Sequence, residues 1–116
     1  MNIEFYENTS GKSPVEDFLG HLLDKKAADK ILWALELLEE QGQQLLKTLY
    51  LKKLKSYQLY ELRILYRKKL FRVFIDIINE QAWLLHIFQK ETKHTPKKEI
   101  KIALQRKTIL HKNLKI

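Results

Sequence analysis

The chain has no cysteine, and only two prolines, three glycines and one methionine in 116 residues. Without cysteine there is neither a disulfide framework nor a thiolate metal site. The four histidines, His21, His86, His94 and His111, lack the tight spacing of zinc ligands, so no metal is expected. A glycine-rich phosphate loop is missing, which argues against nucleoside triphosphate use, and no obvious carboxylate pair points to glycoside chemistry. No other cofactor is expected. Apolar runs are too short to span a bilayer. Met1-Asn2-Ile3-Glu4-Phe5 has neither the basic flank nor the apolar stretch of a secretory signal. The expectation is a cytoplasmic protein without membrane contact.

What the chain does have is charge of one sign, unevenly placed. The net charge is +8 and 45% of residues are apolar, enough for one core and one domain spanning residues 1–116. Residues 1–42 hold four basic and nine acidic side chains, residues 43–89 nine and three, and residues 90–116 nine and two. This asymmetry points the second half toward a polyanion, most simply nucleic acid.

Ile3 to Tyr6 reads as a short strand and Asn8 to Lys12 as a turn. Ser13-Pro14-Val15-Glu16 is a helix start, with Ser13 capping, Pro14 in the first position and Glu16 closing a capping box. Val15, Phe18, Leu19, Leu22 and Leu23 form the apolar stripe of that helix. A second helix is expected from about Asp24 to Gln41, with Ala27, Ala28, Ile31, Leu32, Leu35 and Leu38 inward and Gly42 as its stop. Residues 43–56 read as a connector, partly helical or extended, bearing Lys47, Lys52, Lys53 and Lys55.

The period then changes to two, giving strands at Leu59–Tyr66, Leu70–Ile78 and Ala82–Phe88. Phe71, Val73, Ile75 and Ile77 make the core face, joined by Leu62 and Ile64 and by Trp83, Leu85 and Ile87. Pairing Leu62 with Val73 puts Arg63 directly across from Arg72. Pairing Val73 with Ile87 and Ile75 with Leu85, through a three-residue turn at Asn79-Glu80-Gln81, puts Phe74 across from His86. Glu61, Arg63, Arg72, His86 and Lys90 then share an open sheet face. Thr95-Pro96 starts another helix, docked by Ile100, Ala103 and Leu104, and Thr108–Ile116 reads as a strand or a loose end. The fold class is α+β, an antiparallel sheet packed against an N-terminal helical hairpin and a C-terminal helix.

Two opposed arginines destabilise a sheet by a few tenths to about 1 kcal/mol. Phosphate removes that cost, because guanidinium meets phosphate oxygens as a bidentate fork. The structural alternative is neutralisation by Glu61 and Asp76. His86, beside aromatics on a strand, reads first as a packed histidine, whereas His94 sits in a polar, basic stretch. Arg106 and the tail lysines read as a solvated helix face. Together these residues suit RNA cleavage by the ribose 2′-hydroxyl, which needs a base, an acid and cations for developing charge, but no metal.

The succession Leu59-Tyr60-Glu61-Leu62-Arg63-Ile64, Arg72-Val73-Phe74, Leu84-Leu85-His86 and Phe88 to Ile100 resembles the RelE/ParE toxin superfamily, most closely its HigB-type, phage-related branch. The resemblance implies a compact antiparallel sheet packed against helices, as in small microbial ribonucleases. It implies the toxin of a type II toxin–antitoxin pair, a ribosome-dependent mRNA endoribonuclease (mRNA interferase) that inhibits translation. Its partners would be the ribosome and mRNA, and a helix-turn-helix antitoxin through which alone it meets operator DNA. By position, Arg63 and Arg72 match the cations that hold the scissile phosphate. Lys90 matches the first basic residue of a Phe-x-Lys-Lys-Thr-like motif, and Glu91 stands where many relatives carry a second lysine. Lys90, with Lys93 or His94, is then expected to handle proton transfer or leaving-group charge. Lys52, Lys53, Lys55, Arg67, Lys68, Lys69 and Arg106 are the candidates for gripping RNA backbone. The superfamily also contains ParE-like inhibitors of DNA gyrase without nuclease activity, which is the alternative function, and an inactive relative that only joins an antitoxin on its operator is a third.

Overall fold

The computed structural model describes residues 1–90 and 96–116. The elements run β1 (Asn2–Phe5), α1 (Pro14–His21), α2 (Lys25–Gln41), a 3-10 turn (Gly42–Lys47), β2 (Leu51–Leu54), β3 (Leu59–Tyr66), β4 (Lys69–Ile78), β5 (Gln81–Lys90) and α3 (Lys97–Leu114). The five strands form one sheet in the order β1-β5-β4-β3-β2. It is mixed rather than wholly antiparallel, because β1 lies parallel to β5, with Ile3 beside Ala82 and Phe5 beside Leu84. Helix α2 follows β1 after a short α1 and packs on one face of the sheet. No helix among the described residues is long and apolar enough to cross a membrane.

The alternation of β3 and β4 gives two cores rather than one. Leu62, Ile64, Phe71, Val73 and Ile75 pack with Val15, Ala27, Ile31, Ala34, Leu35 and Leu38 of the helical hairpin. On the other face Leu59, Phe74, Leu85 and Phe88 pack with Ile100, Ala103 and Leu110 of α3. Each fully buried Val, Leu, Ile or Phe contributes about 1.5–3 kcal/mol. The face expected to be open is therefore covered along part of its length. The tail expected to be a strand or loose end continues α3 to Leu114, where Leu110 joins the second core.

Several local expectations change for identifiable reasons. Residues 51–54, within the presumed connector, form edge strand β2, Leu51 pairing with Leu62 and Lys52 with Glu61. A bulge between Phe74 and Ile75 pairs Ile75 with Leu84 instead of Leu85. Leu84 thus enters the first core, while Leu85 and Trp83 turn to the α3 side. The β4–β5 turn is correspondingly two residues long. Asn79 and Glu80 both have positive φ, 48° and 63°, as a type I′ hairpin needs, and Ile78 pairs with Gln81. On the hairpin, Leu23 and Leu32 point outward and Ala34 takes the inward place. Ser13 sits at the N-cap of α1 but its hydroxyl makes no capping bond, so the expected capping box does not close. Asp24 does cap α2, its Oδ1 accepting from Ala27 N at 3.1 Å. Gly42 ends α2 at φ 56°.

Candidate phosphate-binding face

Strand parity brings the cations together. Arg63 on β3 stands directly opposite Arg72 on β4, and the next row of the same face carries Leu65, Leu70 and Lys90. Glu61, two residues before Arg63, completes the cluster. Its Oε2 accepts from Arg72 Nη1 at 3.3 Å, and its Oε1 lies 3.7 Å from Arg63 Nε.

Burial differs sharply across the cluster. The Arg72 and Glu61 side chains are 7% and 4% exposed, whereas that of Arg63 is 39% exposed. One carboxylate thus stands between two guanidiniums, and Lys90 adds a third positive charge. Asp76, considered as a second neutraliser, serves elsewhere: it accepts from His111 Nε2 at 2.5 Å and lies 3.9 Å from Lys107 Nζ. Among the described residues, Arg63 and Arg72 therefore share the one carboxylate of Glu61. Arg63 Nε and Arg72 Nε are both buried and have no hydrogen-bond partner among the described residues. A buried donor left without a hydrogen bond is costly.

The Lys90 amine is held below the usual lysine range, first by desolvation and then by the positive charge of Arg72, with Arg63 acting the same way. Glu61 opposes the shift. Both effects weaken the amine's hold on its proton. Lys93 and His94, the other two proton-transfer candidates, lie outside the described residues, as does Glu91.

His86 shares the face but is a strut. Its Nε2 hydrogen-bonds Glu99 of α3, and its Nδ1 accepts from Arg106 Nη1 at 3.0 Å. Only a neutral ring with its hydrogen on Nε2 meets both partners. Burial is the first cause that pushes its pKa below the ordinary value, which agrees with the neutral form. Phe88, stacked on the imidazole at 5.7 Å, stands directly across from Arg72. Arg106 is likewise not on a solvated face. It is half-buried, and Nη1 also donates to Leu85 O at 2.8 Å, fastening α3 to the bulge in β5.

The remaining cations divide between the two faces: Lys52, paired with Glu61, shares the face of the cluster, whereas Lys53, paired with Tyr60, and Lys69, paired with Tyr66, lie on the opposite one. Lys52 and Lys53 are exposed on edge strand β2 and Lys55 follows it. Lys53 Nζ lies 5.7 Å over the Tyr60 ring. Arg67 and Lys68 form the exposed β3–β4 turn, with Arg67 at φ 55°. Lys69 is tied to the hairpin, Nζ donating to Asp24 Oδ2 at 3.1 Å. The side chains not foreseen from sequence are Lys30, Leu49, Tyr50, Leu65 and Leu70, which line a cleft together with Arg63. The parity that opposed the arginines also places Leu65 and Leu70 on their face.

The family model described as phage derived protein Gp49-like (DUF891) matches residues 19–108. No curated protein matches the chain. The matched segment spans α2, the whole β2–β5 meander and most of α3, and so contains every member of the cationic cluster.

Proposed function

The chain belongs to the phage-derived Gp49-like family, and from that premise we propose that it is a toxin of the RelE/HigB type that cleaves ribosome-bound mRNA. Family membership is compatible with a toxin of a toxin–antitoxin system. The nuclease reading rests on one observation above the rest: Arg63 and Arg72 are opposed on one face and, among the described residues, share a single carboxylate.

In this reading the scissile phosphate sits over Arg63 and Arg72. The 2′-oxygen attacks phosphorus, the P–O5′ bond breaks, and the products are a 2′,3′-cyclic phosphate and a 5′-hydroxyl. The attacking hydroxyl loses a proton and the leaving oxygen gains one. Lys90 serves one of these transfers, standing on the arginines' face in the next row of the sheet. The guanidiniums stabilise charge on the non-bridging oxygens as it grows, and being held in place already they need little reorganisation. Glu61 orients Arg72 rather than touching substrate. Lys52, Lys53, Lys55, Arg67 and Lys68 would grip RNA backbone, positioning it without reading sequence. A helix-turn-helix antitoxin is the proposed neutralising partner, and the cytoplasm, where ribosomes are, the proposed site of action.

Primer extension on messages after induction of the protein tests this reading. Cuts within translated codons are expected. Intact messages accompanied by trapped gyrase–DNA complexes would establish the gyrase-inhibitor alternative instead.

A further inference from the structure

Next to the paired arginines lies a cleft of about 630 Å³ lined by Lys30, Leu49, Tyr50, Arg63, Leu65 and Leu70. We infer that it is a nucleobase subsite, holding by its flat faces one base next to the scissile phosphate; the inference rests on the nuclease reading above.

The cleft is built from residues that a soluble fold has little reason to leave bare together. Leu49 is 88% exposed and Leu65 62%. Single exposed leucines are ordinary, but these converge on one hollow with Leu70 and an aromatic ring. That ring is held from behind. Trp33 meets Tyr50 edge-on at 5.6 Å, and Lys30 Nζ lies 4.0 Å over the Trp33 ring. The backbone holds the same corner, Arg63 N donating to Tyr50 O at 2.7 Å. A ring restrained in this way loses less entropy on binding.

Three features favour a base as the occupant. Arg63 belongs both to the cleft and to the opposed arginine pair, so a ligand phosphate at the pair is continuous with the hollow. Leu65 lies two residues beyond Arg63 on the same face, roughly 7 Å along the strand. That is comparable to the distance from a phosphorus to the base ring of its own nucleotide. Finally, the lining combines an aromatic ring and aliphatic faces with cations but no carboxylate, which suits a flat ring attached to a polyanion. Such a subsite senses the area of a base more than its hydrogen-bonding edge.

The test is a cycle of single-turnover cleavage on ribosomes carrying a message with one abasic nucleotide, placed in turn at each position flanking the cut. In the wild-type protein one position is expected to slow cleavage by roughly 10- to 100-fold, the usual worth of a base stacked on an aromatic ring. Tyr50→Ala should slow the intact message similarly and make the abasic substitution there nearly silent. Leu65→Ser, at an exposed position, repeats the cycle without burdening the core. Equal, additive losses in wild type and variants, or no sensitive position on a message that is still cut, would overturn the subsite alone. A message left uncut by the wild-type protein overturns the nuclease reading and the subsite with it.

Discussion

Glu61 and Arg72 form a nearly solvent-free ion pair between adjacent strands, Oε2 to Nη1 at 3.3 Å, and the other oxygen of Glu61 lies 3.7 Å from Nε of the more exposed Arg63. The pair makes Arg72 rigid, and it also makes Arg72 a residue whose loss is felt by the fold as well as by the chemistry.

Arg72→Ala should therefore do more than abolish growth inhibition. It leaves a buried carboxylate without its partner, a change that typically costs about 3–5 kcal/mol. Arg72→Met combined with Glu61→Gln removes both charges and should recover most of that stability, yet remain non-toxic. Denaturant melts and growth assays on the single and double variants separate the two effects. A toxic double variant would show that Arg72 is only structural.

Removing Glu61 should also change the pH response of the reaction. Among the described residues, Glu61 opposes the lowering of the Lys90 pKa by desolvation, Arg72 and Arg63. With Glu61→Gln, the Lys90 amine should titrate at still lower pH. The limb of the pH–rate profile that belongs to Lys90 should move to lower pH, and Lys90→Met should erase that limb. A profile unmoved by Glu61→Gln would sever the electrostatic link between the two groups.

Stability should fall on the acid side through His86. Its pKa in the fold lies below the ordinary 6.5, so the unfolded chain binds the proton more readily. The contribution is fully present above about pH 6.5 and is lost as pH falls through the folded value. Desolvation and Arg106 drive the shift while Glu99 resists it. His86→Gln should flatten the slope of unfolding free energy between pH 7 and pH 5, relative to wild type, in urea melts read by circular dichroism. An unchanged slope would mean that other groups set the acid response.

Much of the cationic site was legible before the fold was known, because side chains alternate along a strand and direct cross-strand partners share a face. The apolar residues of β3 and β4 leave one sensible register, and that register opposes Arg63 to Arg72 and keeps Lys90 on their side. Beyond Phe74 the same logic misplaced Trp83 and Leu85, since a single-residue bulge reverses parity and leaves no mark in the apolar pattern. The basic character of Arg106 likewise suggested solvent, while its stem and fork are spent on His86 and the backbone of Leu85.

By itself, then, the sequence determined the α+β class, the meander, the helical hairpin and the meeting of two arginines, all of which follow from local periodicity and parity. Tertiary structure alone decided which part of the sheet stays accessible. Helix α3 buries Phe74, Phe88 and Leu85, captures His86 and Asp76, and leaves Arg63 and Leu65 open at the other end. It also decided that Trp33 of α2 meets Tyr50 and that Lys30 lines the cleft beside Arg63. Those contacts join residues far apart in the chain through packing geometry, and no periodicity in the sequence encodes where a helix will come to rest on a sheet.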